Sequence, residues 1–528
     1  MHRFGTGHRP RYAAVGLAAT LAALILGGCG RDTPPTAAGA ANKGESTAAI
    51  KRRYGRIVFD PCTLSSPQAA GTIAAQCAQF EVPQNAAEPN GKKLKLNMAW
   101  LPATDEAGVA PDPVFFLAGG PGQAATSSWP LVDGAFREVR KHRHIVLIDQ
   151  RGTGRSAPLL CRGAAGVSDD ASGAAQSASS DPQAANDAML RAVERCAKEL
   201  TVDARHFTTT DAVADLDAVR AAIGADKIDL VGVSYGTRVA QQYAGRYPQH
   251  TRAVVLDGVV PNELVLGSEH AQNLDSALAQ QFKLCQQTPA CRTRFGSEPR
   301  EQLRKLMARL QAEPVEVDYR DPNTGEQKHE RVTAGHVAML TRMFSYAPEA
   351  ASLLPLMLNE ADQGRYGPLM SLSTMIGSQL DEDLNYGMQL SVICAEDADL
   401  FKPNPADAGT VLGDDMQTTL AAQCKVWPTG QRPKEFHAPF KSDGPVLLLS
   451  GELDPVTPPR YGEQVLKHLP NGRHLVLRGQ GHGALRIGCT PKLLGQFIET
   501  ADAKKLEARC LDSLGYVPPF VSFNGWEP

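Results

Sequence analysis

Short apolar runs alternate along the first half of the chain with longer stretches whose apolar residues recur at helical spacing. Residues 94–101 and 114–117 read as strands, and the run Ile145-Val146-Leu147-Ile148 reads as a buried one. Val213, Leu216, Val219 and Ile223 share one face, predicting a helix over 211–223 that closes at Gly224. Residues 227–231 are apolar and β-branched, so a strand is expected there, followed by a helix over 237–247 carrying Val239, Tyr243 and Tyr247. Residues 252–256 form the next expected strand, while Ala/Ser/Asp/Gly-rich sequence over 163–188 reads as a surface loop. Such alternation implies an α/β fold with a mostly parallel sheet and helices on both faces.

The pattern changes over 261–438. Long helical stretches (271–285 and 298–311) dominate, and buried strands are scarce. Eight of the eleven methionines fall here, among them Met339, Met343, Met357, Met370, Met375 and Met388, which suits a helical cap over an apolar pocket. After Pro445 the α/β pattern returns, with strands at 446–450 and 474–477 around a helix at 459–469. Residues 54–260 and 439–528 are therefore expected to form one core, interrupted by the cap and closed by a cysteine-containing tail.

A length of 528 residues allows a large core, and a net charge of −3 gives no general attraction to nucleic acid. Arg3, Arg9 and Arg11 precede an apolar run over 13–26 that is short for a bilayer, so residues 1–28 read as a signal peptide. Leu26-Gly27-Gly28-Cys29 resembles a bacterial lipobox, which predicts lipidation of Cys29, a flexible tether over 29–53 and a place on the cell envelope. Arg31 in place of aspartate points towards the outer membrane or periplasmic face; plain secretion is the alternative. Setting Cys29 aside leaves ten of eleven cysteines, an even number suited to disulfides in an exported protein. Neighbour pairing is expected: 62–77, 161–196, 285–291, 394–424 and 489–510. No CxxC spacing supports zinc or dithiol chemistry, and His142 with His144 lacks a third ligand, so no metal is expected.

Gly232-Val233-Ser234-Tyr235-Gly236 joins an expected strand to an expected helix. Glycines two residues either side let the backbone turn sharply and lift the Ser234 hydroxyl to the top of a sheet. A serine hydroxyl needs a base, and the base needs a carboxylate to orient it. Downstream, His482 in Gly479-Gln480-Gly481-His482-Gly483 is the best base, ahead of His468 and His474, which fall in regular elements. Asp454 follows the strand at 446–450 and is preferred as the acid, with Glu452 its rival. The oxyanion hole needs two N–H donors; Tyr235 follows the nucleophile, and the turn Gly119-Gly120-Pro121-Gly122 supplies the second. Gly152-Thr153-Gly154 resembles a dinucleotide fingerprint, but Pro158 prevents the helix a pyrophosphate needs, so Asp149 and Arg151 are expected to brace loops instead.

Gly-Gly-Pro-Gly (119–122), Asp-Gln-Arg-Gly-Thr-Gly-Arg-Ser (149–156), Gly-Val-Ser-Tyr-Gly-Thr (232–237), Gly-Glu-Leu-Asp-Pro-Val-Thr-Pro (451–458) and Gly-Gln-Gly-His-Gly (479–483) stand in that order. In this the chain resembles the proline iminopeptidase and tripeptidyl aminopeptidase group of α/β-hydrolase serine peptidases, over roughly residues 59–510. Many members have histidine where Ala118 stands. The resemblance implies an α/β-hydrolase fold, a Ser234–His482–Asp454 triad, Gly120 as the second oxyanion donor, no cofactor and a peptide substrate. It also implies an acidic cap residue for the substrate's free ammonium, and Glu396 is the leading candidate. An esterase with the same triad, or a non-catalytic envelope binding protein, are the competing readings. Oligomeric state is not set by the sequence.

Overall fold

A computed structural model describes residues 51–161, 182–296 and 298–526; the expected signal peptide, Cys29 and most of the tether lie outside them. Twelve strands are described: β1 (Arg52–Tyr54), β2 (Ile57–Leu64), β3 (Ile73–Pro83), β4 (Lys93–Leu101), β5 (Val114–Leu117), β6 (Ile145–Ile148), β7 (Ile228–Val233), β8 (Thr251–Asp257), β9 (Val315–Arg320), β10 (Gln327–Val332), β11 (Val446–Gly451) and β12 (Gly472–Leu477). Ten build one sheet in the order β1-β2-β3-β4-β6-β5-β7-β8-β11-β12. From β6 to β12 every pairing is parallel, while β1 to β4 and the β4–β6 pair run antiparallel.

Burial explains the difference in sequence texture between the two ends. In β5, β6 and β11 every residue is buried, because both faces are covered. Phe115 and Leu117 enter one apolar cluster with Val446 and Leu448; Val114 and Phe116 enter a second with Leu447 and Leu449. Strand β2 instead alternates buried and exposed positions near the sheet edge, so its apolar signal is half as dense. Neither β2 nor β3 was expected from sequence. Arg52 and Arg53, expected in the tether, pair with Phe59 and Val58 as part of β1.

The helix expected over 211–223 spans Thr209–Ile223, with a Thr208–Asp211 capping box and Gly224 in the left-handed conformation. Of the loop expected over 163–188, residues 163–181 lie outside the described residues, and from Pro182 the chain is helical, as part of Pro182–Glu199. Proline at the first position and the alanines that follow favour that start. Between β8 and β11 the chain is mainly helical, as expected, and has its own apolar cluster around Leu306, Leu340 and Leu358. It also holds an antiparallel hairpin, β9–β10, missed because its outward positions are charged. All ten cysteines among the described residues pair as neighbours: 62–77, 161–196, 285–291, 394–424 and 489–510.

Candidate active site

The candidate residues gather at the C-terminal ends of the parallel strands, the place where open α/β sheets put their ligands. Ser234 follows β7 and caps the helix Tyr235–Arg246 at φ 56°, ψ −125°. A positive φ is costly for a residue with a Cβ, so the turn must be held from outside. Its N–H donates to the Asp257 carbonyl at 2.8 Å. A Cβ on Gly232 would fall 2.3 Å from the Gly236 carbonyl oxygen, and one on Gly236 2.2 Å from the Leu117 carbonyl oxygen. Only glycine fits at either position, which is the physical content of the Gly-x-Ser-x-Gly pattern.

His482 lies beyond β12, with its side chain 11% exposed, and its Nδ1 hydrogen-bonds Asp454 Oδ2 at 2.8 Å. Asp454, in the turn after β11, is held on every side. Val456 and Thr457 N–H groups donate to its Oδ1 at 2.8 Å each, and Thr457 Oγ1 donates to Oδ2 at 2.8 Å. Burial would raise the Asp454 carboxyl, but His482 and these donors hold it below the usual carboxylate value. Burial would likewise depress His482, yet the negative charges of Asp454 and Asp257 keep the imidazole above its ordinary value. The rival acid Glu452 turns away: it accepts from Gly479 N–H at 2.8 Å and from Tyr516 Oη at 3.0 Å. His474 is committed to the sheet through Ser450 Oγ at 2.9 Å.

Asp257 and Thr457 escaped the sequence reading. Asp257 ends β8, and its buried carboxylate accepts Ala484 N–H at 2.8 and 2.9 Å and Leu485 N–H at 2.9 Å. One residue thus ties the nucleophile's turn, through its carbonyl, to the histidine loop, through its carboxylate. Burial pushes Asp257 up to about 6. Neighbouring Gly258 has φ +68°, and a Cβ there would meet His482 Cε1 and Thr457 Oγ1 at 3.0 Å. Nothing local in the sequence distinguishes Asp257 from any strand-end aspartate; its role depends on a loop 227 residues away.

The glycine turn after β5 packs directly on the elbow. A Cβ on Gly119 would lie 3.0 Å from Ser234 Cβ, so the Gly119–Gly120 peptide borders the nucleophile. Asp149 ties the helix that follows this turn (Ala125–Val132) to β4, accepting Thr126 N–H and Oγ1 at 2.9 Å and Asn97 Nδ2 at 2.8 Å. Arg151 pairs with Asp215 at 2.6 and 2.7 Å and donates to the carbonyls of Gln84 and His206. Both residues brace loops, as expected. A cleft of about 750 Å³ at the opposite strand ends, lined by Thr251, Arg252, Pro445 and Lys467, holds none of these groups.

Glu396 ends the cap helix Tyr386–Glu396 and is fully buried. Both carboxylate oxygens are occupied by Thr209, whose N–H donates at 2.6 Å and whose Oγ1 donates at 2.9 Å. Thr209 Oγ1 in turn meets Tyr235 Oη at 2.6 Å. Burial pushes Glu396 up to about 8, against the opposing charge of Arg238, which is paired with Asp397 at 2.9 Å. The carboxyl is thus mostly neutral at pH 7 and engaged by protein.

Comparison with known proteins fits this geometry. Residues 112–328 match the alpha/beta hydrolase fold family, and residues 409–510, which include Asp454 and His482, match the TAP-like protein family. Serine protease Hip1 of Mycobacterium tuberculosis is 25% identical over 490 residues, covering 86% of this chain and 91% of that protein. Tripeptidyl aminopeptidase of Streptomyces lividans is 30% identical over 196 residues, 35% of each chain. Proline iminopeptidase of Neisseria meningitidis is 31% identical over 157 residues, covering 29% of this chain and 35% of that one.

Proposed function

We propose that this chain, which is an α/β-hydrolase serine peptidase, is an exported aminopeptidase cleaving peptides near their free N-terminus through an acyl-enzyme. The observation that carries the reading is the His482–Asp454 pair at 2.8 Å, on a loop that Asp257 ties to the strained Ser234 turn. His482 takes the Ser234 proton as Oγ attacks the scissile carbonyl, and Asp454 fixes the tautomer that leaves Nε2 free to accept it. The oxyanion receives the Gly120 and Tyr235 N–H groups, and the proton held by His482 then passes to the leaving amine. Water, deprotonated by the same imidazole, releases the acyl group. Every step uses groups of the chain itself.

Glu396 serves the free ammonium in this reading. A substrate cation entering beside it lowers its pKa, ionises it and competes with Thr209 for its oxygens. Five neighbour disulfides suit an oxidising compartment, consistent with export through residues 1–28 and lipid attachment at Cys29. Cys29→Ala should then move the protein from the membrane to the soluble fraction.

The decisive test is a panel of peptides with free and acetylated N-termini, with products identified by mass spectrometry and Ser234 occupancy followed by a fluorophosphonate probe. Cleavage confined to free N-termini is expected. Indifference to acetylation with fast ester turnover would make the chain an esterase, and failure of Ser234 to react would remove the catalytic reading altogether.

A further inference from the structure

The glycine turn beside Ser234 is held from the cap. Within the turn's own loop the Gly119 carbonyl accepts Gln123 N–H at a long 3.4 Å. Among the described residues, the hydrogen bonds that reach residues 119–122 from elsewhere come from Asn385, 263 residues away. Its backbone N–H and its side-chain Nδ2 both donate to the Gly122 carbonyl, at 3.0 and 2.9 Å. The approach is close: a Cβ on Gly122, at φ +112°, would lie 2.8 Å from the Asn385 carbonyl oxygen.

Asn385 gives up a local role to make this contact. It stands at the N-cap of helix Tyr386–Glu396, where asparagine ordinarily accepts a first-turn N–H, and its side chain makes no such bond. A carbonyl can only accept, so Nδ2 is the atom that faces Gly122. Oδ1 is left buried without a donor among the described residues, in a residue that is 5% exposed. An unpaired buried acceptor is destabilising, and the bond to Gly122 is what the side chain gains against it.

The start of that helix is itself seated on the core. Gly387 N–H donates to the Leu159 carbonyl at 2.8 Å, and a Cβ on Gly387 would fall 2.7 Å from Cys161 Sγ. A Cβ on Gly152 would fall 2.7 Å from Met388 Sδ. Asn385 therefore reaches the turn from a fixed base. An N–H that stabilises developing charge must hold its place as the charge forms, and so sparsely bonded a turn needs support from outside.

We propose that Asn385 is a positioning residue for the oxyanion hole: by binding the Gly122 carbonyl, it holds in place the turn that carries the Gly120 N–H. It acts through the turn, not on the substrate. The proposal rests on the reading of Ser234 as the acylated nucleophile. Asn385 belongs to the cap by its place in the chain and to the strand ends by its role.

The test uses the full chain with tri-alanine p-nitroanilide and p-nitrophenyl acetate, and expresses rates per Ser234 titrated to completion by a fluorophosphonate. Asn385→Ala keeps the backbone donor and should lower kcat by about 10-fold, less than outright loss of an oxyanion donor. Asn385→Asp sets a carboxylate oxygen against the Gly122 carbonyl and should cost about 100-fold. KM should stay within about 2-fold of wild type, as for a group that acts only in the transition state. Inhibition by a tri-alanine aldehyde, whose Ser234 adduct mimics the tetrahedral intermediate, should weaken by the same factor as kcat/KM. Binding of tri-alanine itself should not weaken. The acid limb of the pH profile should stay in place, because Asn385 makes no bond to His482 or Asp454. A merely structural role would lower Tm and the fraction of titratable serine while leaving turnover per titrated serine intact. Wild-type turnover per titrated serine in Asn385→Ala would overturn the proposal, as would equal weakening of the aldehyde and tri-alanine. If that variant fails to fold, Asn385→Ser, which keeps a short donor, decides by the same two criteria. A wild type that neither reacts with the fluorophosphonate nor turns over either compound would remove the Ser234 reading, and this proposal with it. An active wild type with an unaffected variant would remove this proposal alone, and ester turnover by itself is enough for the comparison.

Discussion

The strand ends that carry the candidate triad and the cap facing them differ in how firmly their polar groups are committed. Around Ser234, His482 and Asp454 the polar groups are tightly committed: the Asp454 carboxylate alone is held by two backbone N–H groups, one hydroxyl and one imidazole. In the insertion between β8 and β11, buried side-chain atoms of Gln281, Asn359 and Gln417 lack hydrogen bonds among the described residues. Burial pushes Glu396 there up to about 8. In the proposed mechanism, preorganisation at the strand ends would supply rate, because fixed dipoles need not reorient as charge develops. Adaptable polar groups in the cap would supply choice, because they gain partners only when the right ligand arrives.

That contrast is sharpest for the nucleophile. Ser234→Ala should lower kcat by ~10⁴-fold or more on every substrate, with circular dichroism and Tm unchanged. Uniform loss across free, acetylated and ester substrates is what a strand-end residue must give. Asp454→Asn should cost ~10⁴-fold, because the amide stabilises the wrong histidine tautomer. In wild type the base works only when neutral, and His482 lies above the ordinary histidine value. Activity should therefore fall, as pH decreases, from a higher pH than an unperturbed imidazole would give, and Asp454→Asn should move that limb to lower pH. A limb that stays in place would mean another group limits the rate.

Smaller effects probe the edges of the comparison. Thr457→Val removes the hydroxyl donor to Asp454 Oδ2 and should cost roughly 10- to 100-fold in kcat with little change in KM, since bonds to charged groups contribute ~1.5–3 kcal/mol. An equal loss in KM would place Thr457 with substrate binding instead. Glu396→Gln should raise KM for free-amine peptides by about 10-fold while sparing esters with no amine. Esters and peptides suffering alike would show that Glu396, through Thr209 and Tyr235, acts on the elbow, and the division between rate in the core and choice in the cap would fail there.

The elbow was readable because its requirement is local: Gly232 and Gly236 stand where any Cβ would strike backbone within 2.3 Å. Buried parallel strands were readable for a similar reason, as two covered faces leave an uninterrupted apolar run. Cysteine number pointed to disulfides but could not fix their connectivity; the neighbour pairing expected is the one all five bridges follow. The antiparallel strands β2 and β3 and the charged hairpin β9–β10 were not, because one solvated face dilutes the signal.

The sequence by itself determined the α/β core, its interruption by a helical insertion, and the types and order of Ser234, Asp454 and His482. Tertiary structure alone decided which carboxylates matter. It turned Glu452 to the C-terminal tail, set Asp257 between two loops and buried Glu396 against Thr209. A carboxylate's role is fixed by which donors and charges surround it, and those are contributed by segments far apart in the chain. Local pattern records the strain a turn must bear; it carries no record of which distant group will meet it.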